Sequence, residues 1–143
     1  TAVLRLVYTL GPSQRGTLAN FIKAPRVPLV MGFDPLFQFI HEQDAARAIV
    51  QALEHKLKGV FNVSGPQPIP LSVLAEATGS DPINIPEFFY PNVLGRFGFP
   101  RLPRESFNHI KYPVVVDNKL FVEGTGFEAE YDEIQTMESF RWS

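Results

Sequence analysis

Residues Phe37–Ile49, FQFIHEQDAARAI, constrain the fold more than any other stretch of the chain. Phe37, Phe39 and His41 alternate with Gln38 and Ile40, the period of two expected of a strand over Leu36–His41. Glu42-Gln43-Asp44 then opens a helix, because carboxylates in a first turn interact favourably with its N-terminal dipole. Asp44 is expected to satisfy backbone N–H groups at that helix start. Ala45, Ile49, Ala52 and Leu53 fall on one helical face, and Arg47, Gln51 and Glu54 on the wet one. The helix should end near His55–Lys58, with Gly59 as its stop.

The flanking chain reads as short elements separated by proline and glycine. Ala2–Thr9 is nearly continuously apolar apart from Arg5, which suits one strand buried on both faces of a parallel sheet. Such a strand needs neighbours, and no parallel one is obvious, so the sequence reads as starting inside a larger fold. Arg5, a single charge in that strand, is expected to pair with a carboxylate. Gln14–Lys23 has helical spacing and stops before Pro25. Val27–Met31 contains Pro28 and reads as an edge strand, followed by the turn Gly32-Phe33-Asp34-Pro35. Val60–Ser64 is a strand closed by Gly65-Pro66, with Asn62 expected to anchor the adjacent loop. A helix runs from Leu71 to Thr78 and ends at Gly79. Ile83–Ile85 is a short strand or an extended linker. Phe88–Phe99 is helical with weak propensity, Leu102–Ile110 is ambiguous, and Val114–Val116 is β-like. Asp117–Val122 turns into a helix broken by Gly124-Thr125-Gly126. Asp132–Phe140 is a final helix with Ile134, Met137 and Phe140 together on one side.

Composition narrows the possible functions. The 143 residues suit one domain, and a 45% hydrophobic content supplies a core. A net charge of −2 with scattered basic residues argues against a nucleic-acid or anionic-membrane partner. No apolar run reaches the roughly 18–20 residues of a membrane span. The absence of cysteine excludes disulfide and thiol chemistry and fits a reducing, cytoplasmic setting. The 13 phenylalanines imply a core or a pocket lined by rings. His41-Glu42-Gln43-Asp44-Ala45 opens like a zinc-protease HExxH motif, but Ala45 stands where the second histidine must be, so no metal is expected. There is no phosphate-cradling glycine loop and no GxSxG elbow. None of Tyr8, Tyr90, Tyr112 and Tyr131 has a lysine four residues on.

Three blocks, in order, resemble the extended short-chain dehydrogenase/reductase family, the NAD-dependent epimerase/dehydratase group. Leu4-Arg5 followed by Gly11-Pro12 is similar to the family's L-R-P-x-N-V-Y-G-P segment. Phe39-Ile40-His41-Glu42-Gln43-Asp44-Ala45-Ala46-Arg47-Ala48 is similar to R-D-F-I-H-V-D-D-V-A-x-A, and Gly59–Gly65 to G-x-Y-N-V-G. Tyr112-Pro113, Asp117 and Thr125-Gly126-Phe127 resemble its C-terminal pattern.

The resemblance implies an α/β fold: the C-terminal part of a Rossmann-type enzyme, with a late strand of the parallel sheet plus a small mixed α/β substrate-binding subdomain. The chain is expected to be one unit. Residues 1–12 would supply the strand and loop, and residues 13–143 mainly the subdomain, with the option that strand 60–64 returns to a sheet. The family's dinucleotide fingerprint and Tyr-x-x-x-Lys pair lie upstream of the L-R strand and are absent here. The resemblance therefore implies NAD or NADP in the full-length parent, but no cofactor and no catalytic residue for this chain alone. Substrate contacts are expected at Tyr8, Leu10, Phe37 and His41, with Arg5, Gly11, Pro12, Asp44 and Asn62 as structural motif residues. Tyr8 and Leu10 stand at the family's Asn and Tyr positions. Phe37 stands where nucleotide-sugar members carry a phosphate-binding arginine, and Gln38 replaces the neighbouring aspartate. Phe offers a diphosphate no charge. With Phe33, Phe39, Phe88 and Phe89 this implies a pocket more apolar than a UDP-sugar site. The expected partner is a small-molecule substrate, a sugar nucleotide or a more apolar compound, with self-association through exposed apolar surface. A non-catalytic ligand-binding or regulatory module derived from the same family is the alternative.

Overall fold

A computed structural model of the chain describes residues 1–13, 17–89 and 115–142. Its strands are β1 (Ala2–Leu6), β2 (Tyr8–Leu10), β3 (Arg26–Val30), β4 (Leu36–Phe37), β5 (Phe39–His41), β6 (Gly59–Val63), β7 (Ile69–Pro70) and β8 (Asp81–Ile85). Its helices are α1 (Thr17–Ile22), α2 (Glu42–Glu54), α3 (Leu71–Ala77), α4 (Lys119–Thr125) and α5 (Glu133–Arg141). The strands pair two by two: β1–β6, β2–β5 and β3–β8 are parallel, and β4–β7 is antiparallel. No helix among the described residues is long and apolar enough to cross a membrane.

The alternation in Phe37–His41 separates two hydrophobic cores. Phe37 and Phe39 join Leu10, Phe21, Ile22, Val27, Leu29, Leu71, Leu74, Met137 and Phe140 on one side. Ile40 joins Ala45, Ala48, Ala52, Val63, Phe121 and Phe127 on the other. Each strand residue thus commits its side chain to one core, as the pleat dictates. The strand is interrupted at Gln38, so it is two elements rather than one. Its first part pairs with β7 and its second with β2.

The reading of Ala2–Thr9 needs correction in the same way. It is two strands separated at Val7, because β6 ends at Val63 opposite Leu6 and β5 begins at Phe39 opposite Tyr8. The chain does supply parallel neighbours. Nor is β1 buried on both faces: Val3 and Leu6 are exposed, and only Leu4 packs against the second core.

Several helix readings shift. The buried face of α2 is Asp44, Ala45, Ala48 and Ala52, while Ile49 and Leu53 are exposed. Alanines let the helix approach the second core closely, and a larger side chain on that face would hold it off. α4 continues through Gly124 and stops at Gly126, which adopts a left-handed φ of 69° as its C-cap. In α5, Met137 and Phe140 are buried and Ile134 is exposed. Its start is a capping box: Asp132 accepts from the Gln135 N–H at 2.7 Å, and Gln135 accepts from the Asp132 N–H at 3.0 Å. Ile83–Ile85 is part of strand β8, parallel to β3. Of the aromatic run Phe88–Phe99, Phe88 and Phe89 belong to the 3₁₀ turn Glu87–Phe89. The remainder of that run, the Leu102–Ile110 segment, Tyr112-Pro113, Val114 and residues 14–16 of the first expected helix lie outside the described residues.

Gly65 joins the two halves of this arrangement. A Cβ placed there would stand 2.5 Å from the Phe39 carbonyl oxygen and 2.9 Å from Ile40 Cα. Both are backbone atoms of β5 and cannot rotate away. Gly65→Ala should therefore destabilise the fold by about 1–3 kcal/mol, the range for overpacking a well-filled interior. The urea unfolding midpoint measures this, and an unchanged midpoint would refute the close approach.

Candidate substrate-binding site

The parallel register of β1 and β6 sets Arg5 directly beside Asn62. One step further along, the chain crosses Leu6 and Val7 to Tyr8 at the start of β2. These residues, with Gln38 and Val116, line a cavity of about 450 Å³. It lies at the carboxyl ends of β1 and β6, the place where open α/β sheets receive ligands. Gln38 closes one side. Its Nε2 donates to the Val116 carbonyl at 3.0 Å, and its Oε1 accepts from the Val116 N–H at 2.6 Å. The side-chain amide thus stands in for a paired strand and holds Val116 at the cavity wall.

Of the four expected substrate contacts, the structure brings Tyr8 alone to this cavity. Burial raises the Tyr8 phenol above its usual pKa, so its hydroxyl stays protonated and can donate. Its ring rests near Phe37, with centroids 5.7 Å apart. Phe37 and Leu10 lie in the first core, 2% and 1% exposed. Neither Phe37 nor Phe33, Phe39, Phe88 or Phe89 is among the residues lining the cavity, so the expected aromatic wall is not found there. Two motif roles also change. Among the described residues no carboxylate pairs with Arg5, which is exposed at the cavity instead of balanced within a core. Among the described residues no side-chain hydrogen bond ties Asn62 to a loop, and it lines the same cavity. Gly11 and Pro12 form the turn after β2. Ser13 donates its N–H and hydroxyl to Glu42, and a Cβ at Gly11 would collide with that carboxylate's stem.

His41 lies elsewhere, at the N-terminus of α2. Its Nδ1 accepts the Gln43 N–H at 3.1 Å, so the neutral ring carries its proton on Nε2. The ring stacks on Tyr131 with centroids 3.7 Å apart and planes 9° from parallel. Asp44, fully buried, does not cap its own helix. It accepts the N–H groups of Glu130 at 3.1 Å and Tyr131 at 3.0 Å, and pairs with Arg47 at 2.8 Å. Its partners come from 86 and 87 residues away, a distance no local capping rule reports. Gln38 and Tyr131 carried no sequence signal for these contacts beyond a polar residue in a buried strand and an aromatic beside a helix start.

Two measurements test this second cluster. Asp44→Ala leaves the Glu130 and Tyr131 N–H groups without their acceptor and removes the nearest of Arg47's partners, and should cost about 2–4 kcal/mol in unfolding free energy, on the scale of roughly 1–3 for each donor left unsatisfied. A loss below about 1 kcal/mol in urea titration, the scale of an exposed pair, would deny that role. Burial lowers the His41 pKa, against the opposing pull of Asp44 and Glu42. The unfolded chain then binds more protons than the folded one between the depressed folded value and about 6.5. The contribution is complete above the unfolded value and is lost as pH falls through the folded one. His41→Asn keeps a capping acceptor and should flatten the fall in thermal midpoint across that window. Parallel profiles for the two proteins would contradict it.

Comparison with known proteins adds the fold. No family model matches the chain. It is 28% identical over 141 residues to uncharacterized proteins of Mycobacterium tuberculosis and Mycobacterium bovis, covering 96% of this chain and 38% of theirs. The chain thus spans well under half the length of the curated relatives it matches. Among solved structures, UDP-N-acetylglucosamine 4-epimerase from Bacillus cereus superposes with a TM-score of 0.67 at 16% identity, over 99% of this chain and 47% of that one. RMD from Pseudomonas aeruginosa, complexed with NADPH, gives 0.66 at 16% identity, over 99% and 46%. UDP-glucose 4-epimerase from Thermotoga maritima, with UDP-glucose, gives 0.65 at 18% identity, over 99% and 44%. The fold is therefore the mixed α/β, parallel-paired arrangement found in part of these Rossmann-type enzymes.

Proposed function

We propose that this chain is the C-terminal, substrate-binding portion of an NAD(P)-dependent epimerase, dehydratase or reductase of the extended short-chain type. The carrying observation is the cavity at the carboxyl ends of β1 and β6, in a chain that superposes over 99% of its length on sugar-nucleotide epimerases. Residues 1–12 belong to the nucleotide-binding sheet in this reading, and residues 13–143 mainly to the substrate subdomain. The pairing of β6 with β1 supports returning strand 60–64 to that sheet.

The substrate is a small molecule, a sugar nucleotide or a more apolar compound, and Tyr8 contacts it through its hydroxyl. Among the described residues, no glycine-rich strand-to-helix turn and no tyrosine–lysine pair stands at the cavity. In this reading the dinucleotide fingerprint and the tyrosine–lysine pair lie elsewhere in the full-length protein, and the described residues are given no step in hydride transfer. Their work is to shape one wall, keep Val116 in place and donate hydrogen bonds. Exposed Val3, Leu6 and Val60 on β1 and β6 support burial of that surface in a larger assembly, and the enzyme is expected in the cytoplasm.

The test is made on the full-length protein. It should bind NADH or NADPH, seen as enhanced nicotinamide fluorescence, and turn over a sugar nucleotide or a related carbonyl compound. Tyr8→Ala should raise KM about tenfold, the loss of roughly one hydrogen bond to substrate, with cofactor affinity unchanged. A full-length protein that binds neither dinucleotide would overturn the enzymatic reading and favour the ligand-binding module.

A further inference from the structure

Among the described residues that line the cavity, Arg5 is the charged one and the others are neutral. It occupies an unusual place for a cation. The strand register puts Asn62 beside it, so an amide and a guanidinium face the same space. Tyr8 adds a hydroxyl held in its protonated form by burial. The fourth polar group, Gln38, is already committed: both ends of its amide bond the Val116 backbone. Among the described residues no Asp or Glu neutralises Arg5. Leu6, Val7 and Val116 supply the apolar remainder of the wall.

From this we infer that the cavity receives an anionic group, a carboxylate or a phosphoryl oxygen of the ligand, at Arg5 with Asn62 and Tyr8 as flanking donors. The guanidinium presents parallel N–H groups matched to either anion, and such charge-assisted pairs are stronger than neutral ones. Among the described residues no ion pair holds Arg5, so a ligand engaging it displaces none of them. The apolar side of the cavity lowers the local dielectric once a ligand enters, which strengthens the contact. The site also locates a charge where the sequence had suggested none. The buried Phe37 cannot supply one, whereas Arg5 on β1 lines the cavity together with Gln38. The inference deepens the proposed function by naming a chemical feature of its substrate.

The experiment titrates the full-length protein calorimetrically with two probes, inorganic pyrophosphate and malonate, in low-salt buffer. One or both should bind, and the tighter probe identifies the phosphoryl or carboxylate arm. Arg5→Gln should weaken that binding at least tenfold, and Arg5→Lys should recover part of it. Asn62→Asp is the second variant: it keeps the side chain's size and sets a carboxylate beside Arg5, and should weaken the same probe comparably. NADPH and NADH fluorescence titrations are run on every variant. Cofactor affinity unchanged while anion affinity falls supports the site. Failure of both probes to bind the unmodified protein, or an affinity in Arg5→Gln and in Asn62→Asp equal to that of the unmodified protein, overturns it. Loss of dinucleotide binding in the unmodified protein overturns the enzymatic reading instead, so the two failures are told apart.

Discussion

Water does not reach the carboxylate of Asp44, yet three donors do: Arg47 and the N–H groups of Glu130 and Tyr131. A buried charge is tolerable only when its lone pairs are filled in this way. The arrangement therefore fixes where the chain after α4 can run. Arg47 extends the tie, reaching the Glu128 carbonyl at 3.3 Å and lying 5.7 Å above the Phe127 ring. Tyr131 closes it, stacked on His41 and donating its hydroxyl to Gln43 at 2.7 Å. One turn of α2 thus determines the path of a segment more than 80 residues downstream.

That turn is itself held by its entry strand. β5 is only three residues long, so its own ladder contributes little, and its stability comes from the cores on either side. Phe39 and Ile40 face opposite ways, and each is almost wholly buried. The glycine at 65 lets the chain leaving β6 press on this strand's backbone, which a side chain would prevent. Burial of apolar area on both faces, close backbone approach and the filled carboxylate act on the same few residues. A change in one is transmitted to the others because a packed interior has little slack.

The parts of this arrangement differ in how far sequence alone reveals them, and the difference is one of range. The alternation through Phe37–His41 and the existence of α2 are local, and the periods of two and 3.6 display them. The break at Gln38 is not local, because it depends on β7 and β2 arriving from different directions. The face of α2 was misread for a related reason. Ile49 and Leu53 are more hydrophobic than Ala48, but the approaching surface contains Phe121 and Phe127, and only small residues admit them. The helix beginning at Asp132 was readable from spacing, whereas the pairing of Asp44 with residues 130 and 131 was not. At the cavity, Tyr8 was expected near the end of one long strand and instead opens β2. Arg5 and Asn62 were assigned structural duties because each was judged along its own strand, and only the parallel register brings them together.

The cavity and the buried carboxylate are separate places, but one segment joins them. Val116 is held at the cavity by Gln38, and residues 128–131 are held at α2 by Asp44, Arg47 and His41. Gln38, at the break between β4 and β5, and Asp44, on α2, are six positions apart in the same continuous unit. The segment from Val116 to Tyr131, with α4 between, is therefore pinned at both ends to that unit. A cavity wall pinned at one end would be free to swing, and its donors would pay an ordering cost on binding. With the far end anchored through a buried charge, the wall is ordered in advance. Phe37–Ile49 thus holds both ends of this segment, the cavity wall through Gln38 and the stretch after α4 through Asp44.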